Sequence, residues 1–203
     1  MSSATIRTLG ALVATGGVLW GVSWILSPSR EGANSQVEIW ASAVFQLGLL
    51  ALLAVMWVTR ATGTGRAARG LLAAETVAVV LAIAWTVPYL VDANRPTTGL
   101  LVVLDAFWPL SMAGLVVVGI VVVVAHQWPS PLRWLPLAAS LLIPVDIAVA
   151  ASGASDQVRD LVMGLYLAVA YGTLGLTLAR TAPLLVSPTG FPADRSTQTS
   201  TVA

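Results

Sequence analysis

Six long apolar stretches alternate with short polar breaks along this chain, at 5–26, 37–59, 70–91, 99–125, 132–151 and 158–179. A helix of roughly 20 residues crosses about 30 Å of hydrocarbon. Lipid offers no water to unpaired backbone groups, so each stretch predicts a transmembrane helix rather than a strand. This holds even for the valine-rich run 116–124, whose composition would favour a strand in water. The breaks are rich in Pro, Gly, Asp and Arg, as in Ser27-Pro28-Ser29-Arg30 and Asp92-Ala93-Asn94-Arg95-Pro96. The predicted fold is an all-α integral membrane protein, a six-transmembrane-helix bundle over 1–186. A tail over 187–203, poor in apolar residues, is expected to be disordered and cytoplasmic.

Arginine sets the expected orientation. With the N-terminus inside, Arg7, Arg60, Arg66, Arg69, Arg133, Arg180 and Arg195 fall on the inner side, and only Arg30, Arg95 and Arg159 on the outer. The positive-inside rule then places both termini in the cytoplasm. The first stretch is expected to remain as a span, because its apolar run exceeds the roughly 7–15 residues of a signal peptide and no small-residue cleavage pattern follows it. The predominance of arginine, alanine and valine suggests a bacterial protein of the cytoplasmic membrane.

Composition narrows the chemistry further. The 203 residues are 57% hydrophobic and 9% charged, against about 25% charged in soluble domains. There is no cysteine, so disulfides, thiolate metal sites and cysteine nucleophiles are excluded. There is no lysine for a Schiff base. The lone histidine, His126, cannot build a multi-histidine metal site and is expected to anchor the inner end of the fourth span. No metal and no cofactor is expected. The net charge of +1 provides no basic field for nucleic acid. The expected partners are the bilayer itself, anionic lipid at Arg60, Arg66 and Arg69, and either a second copy of the chain or an unidentified membrane protein.

Two small-residue stripes stand out. Gly17 and Gly21 follow Gly10 and Ala14 on one face of the first helix, and Gly164, Ala168 and Gly172 share a face of the last. Such stripes let helix backbones approach closely, chiefly within the bundle and alternatively across a dimer. Trp40 and Trp108 at the outer side, and Trp57, Trp128 and Trp134 at the inner, read as an aromatic belt rather than a ligand cage.

Acids inside the spans are the candidate chemistry, since charge in hydrocarbon is costly and usually faces a cavity or a partner. Asp105 and Asp146 lie a few residues inside the outer ends of their spans, with Asp92 and Glu38 at the same level. Pro88, Pro109 and Pro144 stand near three of these acids and favour kinks with freed carbonyls. Together with Tyr89 and Gln46, these acids are expected to line an outward polar pocket that binds or moves a solute or protons. Glu75 is expected near the inner interface, beside a basic loop residue. The competing expectations are a non-catalytic accessory or scaffolding subunit and, ranked last, an intramembrane enzyme acting on a lipid or isoprenoid.

Overall fold

A computed structural model describes residues 1–26 and 35–186; the 187–203 tail and the 27–34 break lie outside the described residues. The described chain is helical. Its helices are α1 (Ser3–Leu26), α2 (Gln36–Thr59), α3 (Arg66–Tyr89), α4 (Leu100–Asp105), α5 (Phe107–Ala125), α6 (Leu135–Ser140), α7 (Leu142–Ala151) and α8 (Asp156–Val186). Five helices are long and apolar enough to cross a membrane: α1, α2, α3, the continuous stretch Leu100–Ala125, and α8. The pair Leu132–Ser140 and Leu142–Ala151, bent by 45°, would make a sixth.

Proline places two of the breaks. Pro109 has no N–H for the Asp105 carbonyl, and α4 ends at Asp105. Pro144 likewise leaves the Ser140 carbonyl without its helical donor, and α6 ends at Ser140. Pro88 sits in the last turn of α3. There the Gln36 side chain, at the start of α2, donates to the Leu90 carbonyl at 2.8 Å and to that of Tyr89 at 3.3 Å. Other ends are closed locally. Ser35 caps α2 by accepting from the Glu38 N–H at 3.2 Å. Arg60 and His126 end α2 and α5 in the left-handed conformation, each with φ 54°.

Two helices extend beyond their apolar stretches. α3 begins at Arg66 rather than Gly70, and α8 continues to Val186 rather than Ala179. Hydropathy marks the lipid-facing length, whereas a helix continues into the head-group region wherever Arg and Thr side chains can meet water.

The core follows from the small residues of α1. A Cβ built on Gly10 would stand 2.7 Å from the Gly175 carbonyl oxygen of α8. One on Gly17 would overlap Tyr171, and one on Gly21 would overlap the Gly164 carbonyl, with the Ala168 nitrogen 2.9 Å away. The reverse face of α1 meets α2, where a Cβ on Gly16 would lie 2.8 Å from the Phe45 Cα. α1 is thus wedged between α2 and α8 with nearly bare backbones in contact, a route to dispersion energy that does not depend on water. Gly17, Gly21, Gly164 and Ala168 all sit in this intramolecular seam. Gly172 is looser, with its nearest neighbour, Val18 Cγ2, 3.6 Å from where a Cβ would stand.

Candidate functional site: a tryptophan-walled cavity

The site forms where α1 and α3 approach their C-termini and α2 begins. Trp20 and Trp24 are four apart on α1 and so share a face. Their rings meet edge to face, with centroids 6.0 Å apart. Trp20 also meets Trp108 of α5 at 5.3 Å and Phe45 of α2 at 4.7 Å. Trp85 of α3 stacks at 4.6 Å on Tyr89. Trp20, Trp24, Trp85 and Trp108, with Glu38 and Gln46 of α2, line a partly open cavity of about 200 Å³.

Its polar side chains are few: Gln46 is buried, Glu38 is half-buried, and the half-buried Ser42 donates to the Ile39 carbonyl at 2.9 Å. The Gln46 side chain is 3% exposed. Its Nε2 donates to Thr86 Oγ1 at 2.8 Å, and Thr86 Oγ1 donates to the Ala82 carbonyl at 3.2 Å. With that orientation consumed, Gln46 Oε1 has no hydrogen-bond partner among the described residues. The same is true of the indole N–H groups of Trp20 and Trp85. A buried donor or acceptor left unmade costs about 1–3 kcal/mol, so the polar wall is held in place at an energetic cost. Glu38 brings a carboxylate to the wall from the first turn of α2, where the helix N-terminus stabilises negative charge.

The arrangement suits a cation with an apolar shell. Indole faces attract cations through the ring quadrupole, most strongly when water is excluded. Among the described residues no group of three His, Cys, Asp or Glu side chains could hold a metal ion. A larger depression of about 310 Å³ lies between α1 and α2, lined by residues such as Leu19, Val22, Val37 and Trp40. Ser23, its one hydroxyl, already donates to the Trp20 carbonyl at 2.8 Å. With the indole of the exposed Trp40 as its only other polar group, this largely apolar depression reads as a surface for lipid chains.

The expected acid constellation takes a different form. Of its residues, Glu38 and Gln46 line the cavity. Tyr89 is buried behind Trp85, its hydroxyl 2.5 Å from Thr97 Oγ1. Asp92 is exposed and accepts from the Asn94 N–H at 3.1 Å, a turn-forming bond. Asp105 is exposed at the end of α4. Asp146 is engaged by Arg159, whose Nε and Nη2 reach the two carboxylate oxygens at 2.6 and 2.5 Å. The Asp105–Asp146 pair is therefore not assembled around the cavity. Asp146 holds α7 to α8 instead, because Arg159 lies one turn into α8 and the short 152–155 connection brings it opposite. We expect Asp146→Asn to lower stability by less than about 1 kcal/mol, since the pair is partly solvated. It should leave ligand binding at the tryptophan cavity unchanged, and a binding isotherm checks this directly.

Two tryptophan assignments need correction. Trp108 joins the cavity rather than the belt. Trp128 is buried and donates its indole N–H to Thr59 Oγ1 at 2.9 Å, fastening the α5–α6 connection to the end of α2. Trp20, Trp24 and Trp85, to which sequence alone assigns no role, line the same cavity. The one available signal was Trp20-x-x-x-Trp24 on the face that also carries the packing glycines. Trp40, Trp57 and Trp134 are exposed, as belt residues are. Glu75 is also misplaced by sequence. It is 4% exposed inside the bundle, with no basic partner among the described residues.

Comparison with protein-family models, with curated proteins and with solved structures finds no match.

Proposed function

We propose that this chain is a non-enzymatic multi-pass membrane protein that binds a small organic cation, of the substituted-ammonium class, in the tryptophan-walled cavity. The observation that carries the proposal is the convergence of four indoles and the Glu38 carboxylate on one cavity of about 200 Å³. Aromatic faces and a carboxylate together are the chemistry that recognises such cations. In this reading six spans cross a bacterial cytoplasmic membrane with both termini inside. Arg60, Arg66 and Arg69, all exposed at one end of the bundle, meet anionic lipid on the cytoplasmic side. The cavity lies in the opposite, outer half. Movement of the bound cation across the membrane is the function that an outward site of this kind would serve.

The test is a titration of the full chain in detergent with tetramethylammonium and tetraethylammonium chloride, followed by tryptophan fluorescence, with sodium chloride as the ionic-strength control. Saturable quenching by the organic cations alone supports the proposal. A response identical to that of sodium chloride refutes it and leaves the accessory-subunit reading ahead. That reading is then tested by a stoichiometric partner retained in native detergent.

A further inference from the structure

Glu75 lies away from the cavity, in the interior of the bundle. It is nine residues into α3, about 14 Å along a helix of about 36 Å at 1.5 Å per residue. Its carboxyl group occupies the space where a Cβ on Gly114 would stand, near the middle of Leu100–Ala125. That glycine is a position where α5 has no side chain, so the carboxyl packs against bare backbone. Glycine at 114 is the condition for this arrangement, because any side chain there would displace the carboxyl.

The surroundings supply no counter-charge. The elements packed against α3 are α2, α4 and α5. α5 has no titratable residue, α2 has only Glu38 in its first turn, and α4 has only Asp105 at its last position. α8 carries Tyr171 at its midpoint and Tyr166 five residues earlier, while Asp156, Arg159, Asp160 and Arg180 are nine or more residues from Tyr171. On α3 itself Arg66 and Arg69 lie in the first turn and are exposed. Glu75 Oε1 and the Tyr171 hydroxyl both lack a hydrogen-bond partner among the described residues. Tyr166 is engaged elsewhere, donating to the Ala138 carbonyl.

An isolated carboxylate in such an interior is strongly disfavoured, whereas a bound proton removes the charge and creates a donor. We propose that Glu75, buried and seated over Gly114, is a proton-binding site in the interior of the bundle, gaining and losing its proton while the helices stay folded. A carboxyl that exchanges a proton inside a span is the element a proton-coupled carrier requires. The proposal stands on the Glu75 environment and not on the identity of the cavity ligand.

Infrared difference spectroscopy of the full chain in lipid vesicles, titrated in pH, tests it. The wild type should show the C=O band of a protonated carboxylic acid that is lost reversibly as pH rises, with the helical amide band unchanged. Glu75→Gln should lack that band. The chain has three glutamates, Glu31, Glu38 and Glu75. Should Glu75→Gln fail to fold, a Glu31→Gln/Glu38→Gln chain grown with carboxyl-labelled ¹³C-glutamate leaves Glu75 as the only labelled carboxyl side chain and must give the same titrating band. A band absent at every pH where the helices persist would overturn the proposal. So would a band that persists unchanged until the helices unfold, since Glu75 would then be a fixed structural acid.

Discussion

Gly21→Leu should destabilise the bundle by about 3 kcal/mol or more, at or beyond the upper end of typical overpacking costs. A side chain at this position has nowhere to go. Its Cβ alone would overlap the Gly164 carbonyl and stand 2.9 Å from the Ala168 nitrogen. Both are backbone atoms of α8, so no rotamer change relieves the contact. The helices must separate, and separation also loosens the approaches of Gly10 to Gly175 and of Gly17 to Tyr171 further along the same seam. Gly175→Leu should behave alike, since its Cβ would overlap the Ala14 nitrogen. Two controls sharpen the result. Gly172→Ala should cost within about 1 kcal/mol, as its Cβ would make an ordinary 3.6 Å contact. Gly70→Ala should be neutral or stabilising by up to about 1 kcal/mol, because Gly70 lies in α3 with no neighbour within 4 Å. Unfolding by SDS titration in mixed micelles measures all four. Equal midpoints for Gly21→Leu and Gly70→Ala would mean that α1 and α8 are not packed through this seam.

The second large effect concerns the cavity. Trp85→Ala should weaken tetraethylammonium binding about 30-fold, the equivalent of about 2 kcal/mol for a desolvated cation–π contact. Trp85 is the informative indole because it stands on α3, apart from the Trp20, Phe45 and Trp108 cluster that also builds the core. Glu38→Gln keeps the shape of the side chain and removes its charge. It should cost about tenfold or more, on the scale of a hydrogen bond to a charged group. Its loss should shrink as salt rises only if the carboxylate acts at long range. Asp105→Asn and Asp146→Asn should leave affinity unchanged. If binding survives Trp85→Ala and Glu38→Gln but fails in Asp146→Asn, the ligand sits by the α7–α8 ion pair and the cavity assignment is wrong.

The two cases show different limits of reading along the chain. The glycine stripe of α1 was legible because helical periodicity alone places Gly10, Gly17 and Gly21 on one face. Which helix covers that face is a matter of tertiary pairing, and α8 is the most distant helix in sequence. The cavity residues were only half legible. Glu38 and Gln46 are noticeable as polar residues in an apolar segment. Tryptophans near span ends are common for interfacial reasons, so Trp85 and Trp108 give no individual sign of convergence. Asp146 misleads for the opposite reason. It is conspicuous in its segment, yet a neighbouring arginine across a short turn accounts for it.

Glu75 marks the boundary most clearly. Starting α3 at Gly70, where the apolar run starts, places the carboxyl near the inner interface. Starting it at Arg66 only lengthens the helix ahead of Glu75 by four residues, about 6 Å; what buries the carboxyl is the space that Gly114 of α5 leaves for it. Sequence alone determined the helical class, the approximate apolar stretches and the small-residue faces. Each of these follows from a local rule: backbone satisfaction in lipid, the length of a crossing, and the 3.6-residue period. Tertiary structure alone decided which indoles meet around Glu38, that Asp146 faces Arg159, and that Gly114 makes room for Glu75. Those outcomes depend on which faces of distant helices pack together, and close-packed side chains, unlike hydropathy, carry no signature along the chain.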